Sequence, residues 1–177
     1  LLPGTYTIKV NLPAGFRTGP YRAGTNDTVD NDAVFQEVRD AYIAFVEPFT
    51  LMSGEMNKNI DIGVYRWSSA GDLIWEDLNG NGVFEAGEPG ISGVALTLTG
   101  TAGDGSIVLQ NTSTDENGKY LFHQLKPGNY TLTAALPLGY LWVAPNAGND
   151  TDLDSDFDPD NGTVSFELTS NTVRSDI

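Results

Sequence analysis

Val94-Ala95-Leu96-Thr97-Leu98-Thr99 alternates apolar and polar side chains, and that period of two decides the fold class. In an extended chain it lays Val94, Leu96 and Leu98 on one face and Ala95, Thr97 and Thr99 on the other, as in a half-buried strand of an antiparallel sheet. The pattern returns in Tyr120 and Phe122, in Tyr130 and Leu132, and in Val164, Phe166 and Leu168. Between these runs lie turn formers: Asp115-Glu116-Asn117-Gly118, Lys126-Pro127-Gly128-Asn129 and Asn161-Gly162. Asn and Asp bond their own backbone there, and glycine supplies positive φ. Short strands spaced about ten residues apart argue for an antiparallel β-sandwich. Twenty glycines and nine prolines among 177 residues agree with so many turns.

The chain also resembles itself. Leu2-Pro3-Gly4-Thr5-Tyr6-Thr7 matches Lys126-Pro127-Gly128-Asn129-Tyr130-Thr131, and Pro13-Ala14-Gly15-Phe16 matches Pro137-Leu138-Gly139-Tyr140. Asn26-Asp27-Thr28 then matches Asn149-Asp150-Thr151, followed by Asp30-Asn31-Asp32 against Asp154-Ser155-Asp156. Phe49-Thr50-Leu51 pairs with Phe166-Glu167-Leu168, and Ile60-Asp61-Ile62-Gly63 with Ser175-Asp176-Ile177. Residues 71–177 therefore read as one complete sandwich, and residues 1–63 as the C-terminal half of another. Residues 64–70 read as a short linker. An insertion at 33–45 carries Val34, Val38, Tyr42 and Phe45 at helical spacing, which predicts a short helix or ordered insert. Half a sandwich leaves its core and strand edges open. Its missing strands are expected either before residue 1 in a longer polypeptide or from a neighbouring copy by strand addition. An opening on Leu1-Leu2-Pro3-Gly4 without methionine fits the expectation that this is part of a longer chain.

Charge narrows the function. Nine Lys and Arg face twenty-four Asp and Glu, a formal net charge of -15, with one histidine and no cysteine. Such a surface repels nucleic-acid phosphates and anionic lipid, and no apolar run is long enough to span a bilayer. Disulfides, thiolate metal sites and cysteine nucleophiles are excluded.

The acidic residues are patterned. Asp77-Leu78-Asn79-Gly80-Asn81-Gly82-Val83-Phe84-Glu85-Ala86-Gly87-Glu88 satisfies the calcium-loop pattern D-x-[DN]-x-[DN]-G-x5-E. Ca²⁺ takes about six to eight hard oxygens, and such a loop presents them from Asp77, Asn79 and Asn81, the Val83 carbonyl, Glu85 and Glu88, with Gly82 making the sharp turn. The flanks are not helical: Asp72 to Glu76 reads as a strand, and Pro89-Gly90 stops any helix. Farther on, Asp150, Asp152, Asp154, Asp156, Asp158 and Asp160 recur at every second position. In an extended strand their like charges share one face and repel, so bound cations or a bend must relieve them. Asp150, Asp154 and Asp156 are expected metal ligands because Asp27, Asp30 and Asp32 recur in copy one, whereas Asp158 and Asp160 read as solvated. A glycosidase carboxylate pair is not expected, because the sequence itself offers no sign of the aromatic cleft or raised-pKa acid that chemistry needs.

Taken in order, Gly71-Asp72-Leu73-Ile74-Trp75-Glu76-Asp77-Leu78-Asn79-Gly80-Asn81-Gly82, Glu88-Pro89-Gly90-Ile91-Ser92-Gly93-Val94, Thr114-Asp115, Gly118-Lys119-Tyr120-Leu121-Phe122, Pro127-Gly128-Asn129-Tyr130 and Asp154-Ser155-Asp156 resemble the SdrD B-like repeats of serine-aspartate repeat surface adhesins. The resemblance covers copy two and the latter half of copy one. It implies an immunoglobulin-like (prealbumin-like) sandwich, several Ca²⁺ ions stiffening a tandem array, and a noncatalytic stalk in an extracellular, cell-surface protein or filament. Partners would be neighbouring copies of the repeat and an extracellular ligand. The loop site falls on Asp77, Asn79, Asn81, Val83 and Glu88, and further sites on Asp150, Asp154 and Asp156. Unlike isopeptide-bonded sandwiches, copy two has only Lys119 and Lys126, both near turns, so no such cross-link is expected.

The alternative function is an adhesin or carbohydrate-binding module using Trp75, Tyr140 or Trp142, although Trp75 and Tyr140 read first as core or inter-sheet residues. His123 has no motif partner. Five N-x-[ST] sequons, at Asn26, Asn111, Asn129, Asn149 and Asn161, are those an Asn- and Thr-rich chain acquires by composition.

Overall fold

A computed structural model describes residues 1–39 and 41–177. Regular structure among the described residues is strand throughout, in two compact units, Leu1–Arg66 and Trp67–Ile177.

In the first unit, β1 (Gly4–Leu12) pairs antiparallel with β4 (Ala41–Leu51), and β4 with β3 (Ala33–Val38). A small second sheet joins β2 (Phe16–Thr18) to β5 (Val64–Arg66). The core is thin: Ala33, Ala44 and Val46 are buried, while Ile8, Val10, Leu12, Phe49, Ile60 and Ile62 pack on them only partly covered. The expected helix at 33–45 is instead β3 and the start of β4, apart from Asp40, which lies outside the described residues. A four-residue spacing is an even number, so it keeps Val34 and Val38 on one face of a strand as well as of a helix, and Val, Phe and Tyr favour the strand. Val34 faces Phe45 across the β3–β4 pair.

The second unit is a β-sandwich. One sheet has the order β11-β10-β7-β8, built from β7 (Ala95–Ala102), β8 (Ile107–Ser113), β10 (Gly128–Ala135) and β11 (Thr163–Leu168), all antiparallel. The other has the order β12-β6-β9, with β6 (Ser68–Ala70), β9 (Phe122–Leu125) and β12 (Val173–Arg174). Leu96, Leu98, Tyr130, Leu132, Phe166 and Leu168 from the first sheet and Ala70, Phe122 and Leu125 from the second fill one core. The expected linker at 64–70 therefore does not exist as such, because β5 closes the first unit and β6 opens the second. Asp72 to Glu76 forms no full strand but is held extended by bridges from Leu73 to Lys119 and from Trp75 to Gly90.

The internal repeat is visible in register. Gly4 faces Leu51 and Tyr6 faces Phe49, just as Gly128 faces Leu168 and Tyr130 faces Phe166. Both tyrosine hydroxyls donate to a carbonyl four residues upstream, Tyr6 to Leu2 and Tyr130 to Lys126.

Candidate metal centre

The loop from Asp77 to Glu88 is closed by its own side chains. Asp77 Oδ1 accepts the N–H groups of Asn79, Gly80 and Asn81 at 3.2, 2.7 and 3.3 Å, and Oδ2 accepts Gly82 N–H at 2.7 Å. Asn79 Oδ1 takes Asn81 N–H and Asn81 Oδ1 takes Val83 N–H. Glu88 spans the far end, with Oε1 on Leu78 N–H at 3.0 Å and Oε2 on Glu85 N–H at 2.9 Å. Asn79 Nδ2 donates to Glu85 Oε2 at 2.8 Å. Desolvation is the largest single influence on Asp77, but the N–H groups of Gly82, Gly80, Asn79 and Asn81 together outweigh it and hold the carboxyl below its ordinary range. The carboxylate is thus ionised and oriented.

This loop is docked on the aspartate ladder. Val83 and Asp154 form an antiparallel bridge, flanked by Phe84 N–H to Leu153 O at 2.7 Å and Ser155 N–H to Gly82 O at 3.1 Å. Gly82 has φ +78, and a Cβ there would lie 2.9 Å from Ala144 O and from Ala147 Cβ, so only glycine allows both the turn and the approach.

The ladder itself is bent rather than extended. Asp150 is exposed and accepts Asp152 N–H at 3.2 Å, while Asp158 accepts Asp160 N–H and Asn161 Nδ2. Asp154 and Asp156 turn inward around buried Ser155. Asp154 Oδ1 is buried with no hydrogen-bond partner. A cavity of about 490 Å³ is bounded by Asp72, Asp77, Asp152, Asp154, Asp156 and an apolar wall that includes Trp142. Burial first, then the charges of Asp156, Asp176 and Asp152, push Asp72 up to about 7 against a backbone hydrogen bond from Ile177. Burial, then Asp154 and Asp176, push Asp156 up to about 6 against Arg174. Like charges are held together with only partial compensation, from Arg174 and the Ile177 backbone.

Copy one repeats part of this. Asp30 Oδ1 is likewise buried and partnerless. Asp32 Oδ2 accepts Asp61 N–H at 2.9 Å and its own N–H donates to Asp61 O, so it is anchored by the backbone. Asp27 and Asp32 border a second cavity, of about 360 Å³, with Glu47, Asn57 and Asn59. Among the described residues no three His, Cys, Asp or Glu side chains converge into a ready-made ligand set. The donors are instead carboxylates mixed with asparagine amides and backbone carbonyls, the hard-oxygen chemistry that suits Ca²⁺. With two orphaned buried carboxylate oxygens at matching positions of the repeat, the residues present fit a calcium ion.

The SdrD B-like domain model matches residues 68–177. The chain belongs to the SdrD B-like domain family. Serine-aspartate repeat-containing protein F of Staphylococcus epidermidis is 34% identical over 155 residues, covering 86% of this chain and 9% of that protein. Serine-aspartate repeat-containing protein D of Staphylococcus aureus strain Newman is 34% identical over 153 residues, 86% of this chain and 10% of its own length. The chain therefore spans about a tenth of these relatives. Looser likenesses are the Bacillus anthracis TIE protein, with 18% identity, a TM-score of 0.40, and 98% of this chain and 24% of that one covered, and BcpA, the major pilin subunit of Bacillus cereus, with 14% identity, a TM-score of 0.34, and 99% and 59% covered.

Within this SdrD B-like module, sequence reasoning missed Asp72. Its neighbour Asp176 was visible as the acid shared by Ile60-Asp61-Ile62 and Ser175-Asp176-Ile177, a recurrence that points at the same corner of the fold. The aromatics also need correction. Tyr140 is 37% exposed and so is no core residue. Trp75 is half-buried, edge-on to Phe84 at 5.8 Å, and Trp142 stacks on Phe157 at 4.8 Å.

Proposed function

We propose that this SdrD B-like chain is a noncatalytic, calcium-stabilised structural module of an extracellular surface protein. The observation that carries the reading is the pair of buried, partnerless carboxylate oxygens, Asp30 Oδ1 and Asp154 Oδ1, at equivalent places in the repeat. An uncompensated buried carboxylate costs stability unless a proton or a cation neutralises it. Asp77, Asn79, Asn81, the Val83 carbonyl, Glu85 and Glu88 would hold one Ca²⁺; Asp72, Asp154 and Asp156 would supply oxygens for another, and Asp27, Asp30 and Asp32 for one in copy one. A bound ion supplies positive charge and hard-oxygen coordination where the acids otherwise repel. The Val83–Asp154 bridge ties the loop to the ladder, so neutralising either stiffens both. Neighbouring repeats of the same kind are the natural partners of such a spacer. Calorimetric titration of the chelated protein with Ca²⁺ tests this: heats of binding are expected in the intact chain and are diminished by Asp77→Ala, and a flat titration would refute it.

A second reading, an adhesive module, draws on the exposed apolar side chains of Leu138 and Leu141 beside Tyr140. Binding to an extracellular polymer that is lost in Leu141→Ser without a change in melting temperature would support it.

A further inference from the structure

We propose that β8 is a self-recognition edge, through which two copies of this chain join by antiparallel pairing of their β8 strands about a two-fold axis at Leu109. The proposal rests on sheet topology and is independent of calcium. In the sheet β11-β10-β7-β8, β8 pairs with β7 alone, and among the described residues no strand bonds its outer edge. Such an edge is a template for another strand unless charge, proline or a cover blocks it. The strands β1, β3, β11 and β12, which also end their sheets, carry Lys9, Glu37, Glu167 and Arg174. By contrast, from Gly105 to Thr114 there is neither a charged residue nor a proline. The nearest acid, Asp104, is neutralised by Lys126, whose Nζ donates to its carboxylate.

The backbone is aimed for pairing. Ala102 N–H donates to Ser106 O at 2.9 Å and Thr114 N–H to Val94 O at 3.0 Å, so the even-numbered residues of β8 turn their amides and carbonyls to β7. The odd-numbered ones, Ile107, Leu109, Asn111 and Ser113, turn theirs to the open edge. Their side chains also leave the core, with Ile107 79% and Leu109 65% exposed, whereas Val108 packs inward. Charge makes the occupant a second copy. Each chain has a net charge of -15, so two copies repel least where the surface is neutral, and the neighbouring outward residues of β7, Ala95, Thr97, Thr99 and Thr101, are neutral too. The strand is also self-complementary. A two-fold axis at Leu109 sets odd-numbered residues of both strands opposite one another, Leu109 against the partner's Leu109 and Ile107 against the partner's Asn111, so open amides meet open carbonyls. In that register Ile107 lies diagonal to the partner's Leu109, and the exposed apolar side chains of both copies adjoin. An axis at Gln110 would instead set Ile107 and Leu109 against polar residues.

Analytical ultracentrifugation of the 177-residue chain tests this. The mass should rise from 19.0 kDa towards twice that value with protein concentration, and more readily in high salt, which screens the mutual repulsion. Leu109→Lys should weaken association roughly tenfold or more by setting like charges face to face, with the melting temperature unchanged because the side chain is exposed. The chain has no cysteine, so one introduced thiol reports one contact. Leu109→Cys should be oxidised by diamide to a disulfide-linked dimer, since the roughly 5.5 Å between Cα atoms of a hydrogen-bonded pair is within disulfide reach. Ser165→Cys, at an exposed position of the opposite edge strand β11, should not cross-link. A chain that stays monomeric at every concentration and salt overturns the proposal. So does a dimer that survives Leu109→Lys, or one that cross-links through Ser165→Cys instead.

Discussion

Val83 and Asp154 face each other across an isolated antiparallel bridge, so the loop backbone at Gly82–Val83 and the inward bend of the aspartate ladder are one structure. Anything that changes the charge at Asp154 is felt in the loop, and anything that lifts the loop exposes Asp154.

The orphaned oxygen gives a double-signed expectation. Asp154→Asn removes a charge that repels Asp156. In chelator the variant should be more stable than the parent, by roughly 1 kcal/mol for a like-charge pair at the effective dielectric of a protein surface. In saturating calcium the order should reverse, because a ligand has been lost. Paired melting curves with and without metal read both signs.

Gly82→Val should separate loop and ladder. The new side chain must leave a positive φ and clear Ala144 O and Ala147 Cβ. A loss of about 1–3 kcal/mol is expected, typical of a strained non-glycine position. Hydrogen exchange should localise the loosening to 77–88 and 144–155, leaving β7 and β10 protected.

In copy one, Asn31 is a buried polar anchor. Its Nδ2 donates to Gly19 O and Ala33 O, both at 2.8 Å, and its Oδ1 accepts Gly63 N–H at 3.2 Å. Asn31→Ala strands those groups and should cost about 2–4 kcal/mol. Thermal unfolding of the first unit, followed through Tyr and Phe signals of β1 and β4, checks it.

The pH dependence follows from Asp72 and Asp156, whose folded pKa values are raised to about 7 and about 6 from an ordinary 3.8. The metal-free fold binds protons more tightly than the unfolded chain there. Stability from these two groups is fully present below pH 4 and is lost as pH rises through 6 and 7. In chelator the second unit should therefore melt higher at pH 5 than at pH 8. With calcium the trend should weaken or invert, since binding must displace those protons. Buffers of differing ionisation enthalpy will show proton release at pH 6.

Much of this was legible beforehand, and for identifiable reasons. Alternation in Val94 to Thr99 and in Tyr130 to Leu132 placed strands because each has one face in the core. The loop pattern brought Asp77 and Glu88 into one hydrogen-bonded loop because that spacing is local, written in consecutive residues. Asp72 was hidden because it meets Asp156 only through tertiary packing, across eighty-four positions (156 − 72). The strand at 33–38 was misread because an i, i+4 spacing suits both helix and strand, and only pairing with β4 decides between them. Asp150 matched the ladder in period, but the turn at 151–153 carries it to the surface.

The central claim, that calcium neutralises the acids clustered around the Val83–Asp154 bridge, is tested most directly by the melting temperature of the intact chain in EGTA and in excess Ca²⁺. A rise is expected, worth roughly 2.7 kcal/mol per site when free metal is 100 times its dissociation constant. Superimposable melting curves in the two conditions would contradict it.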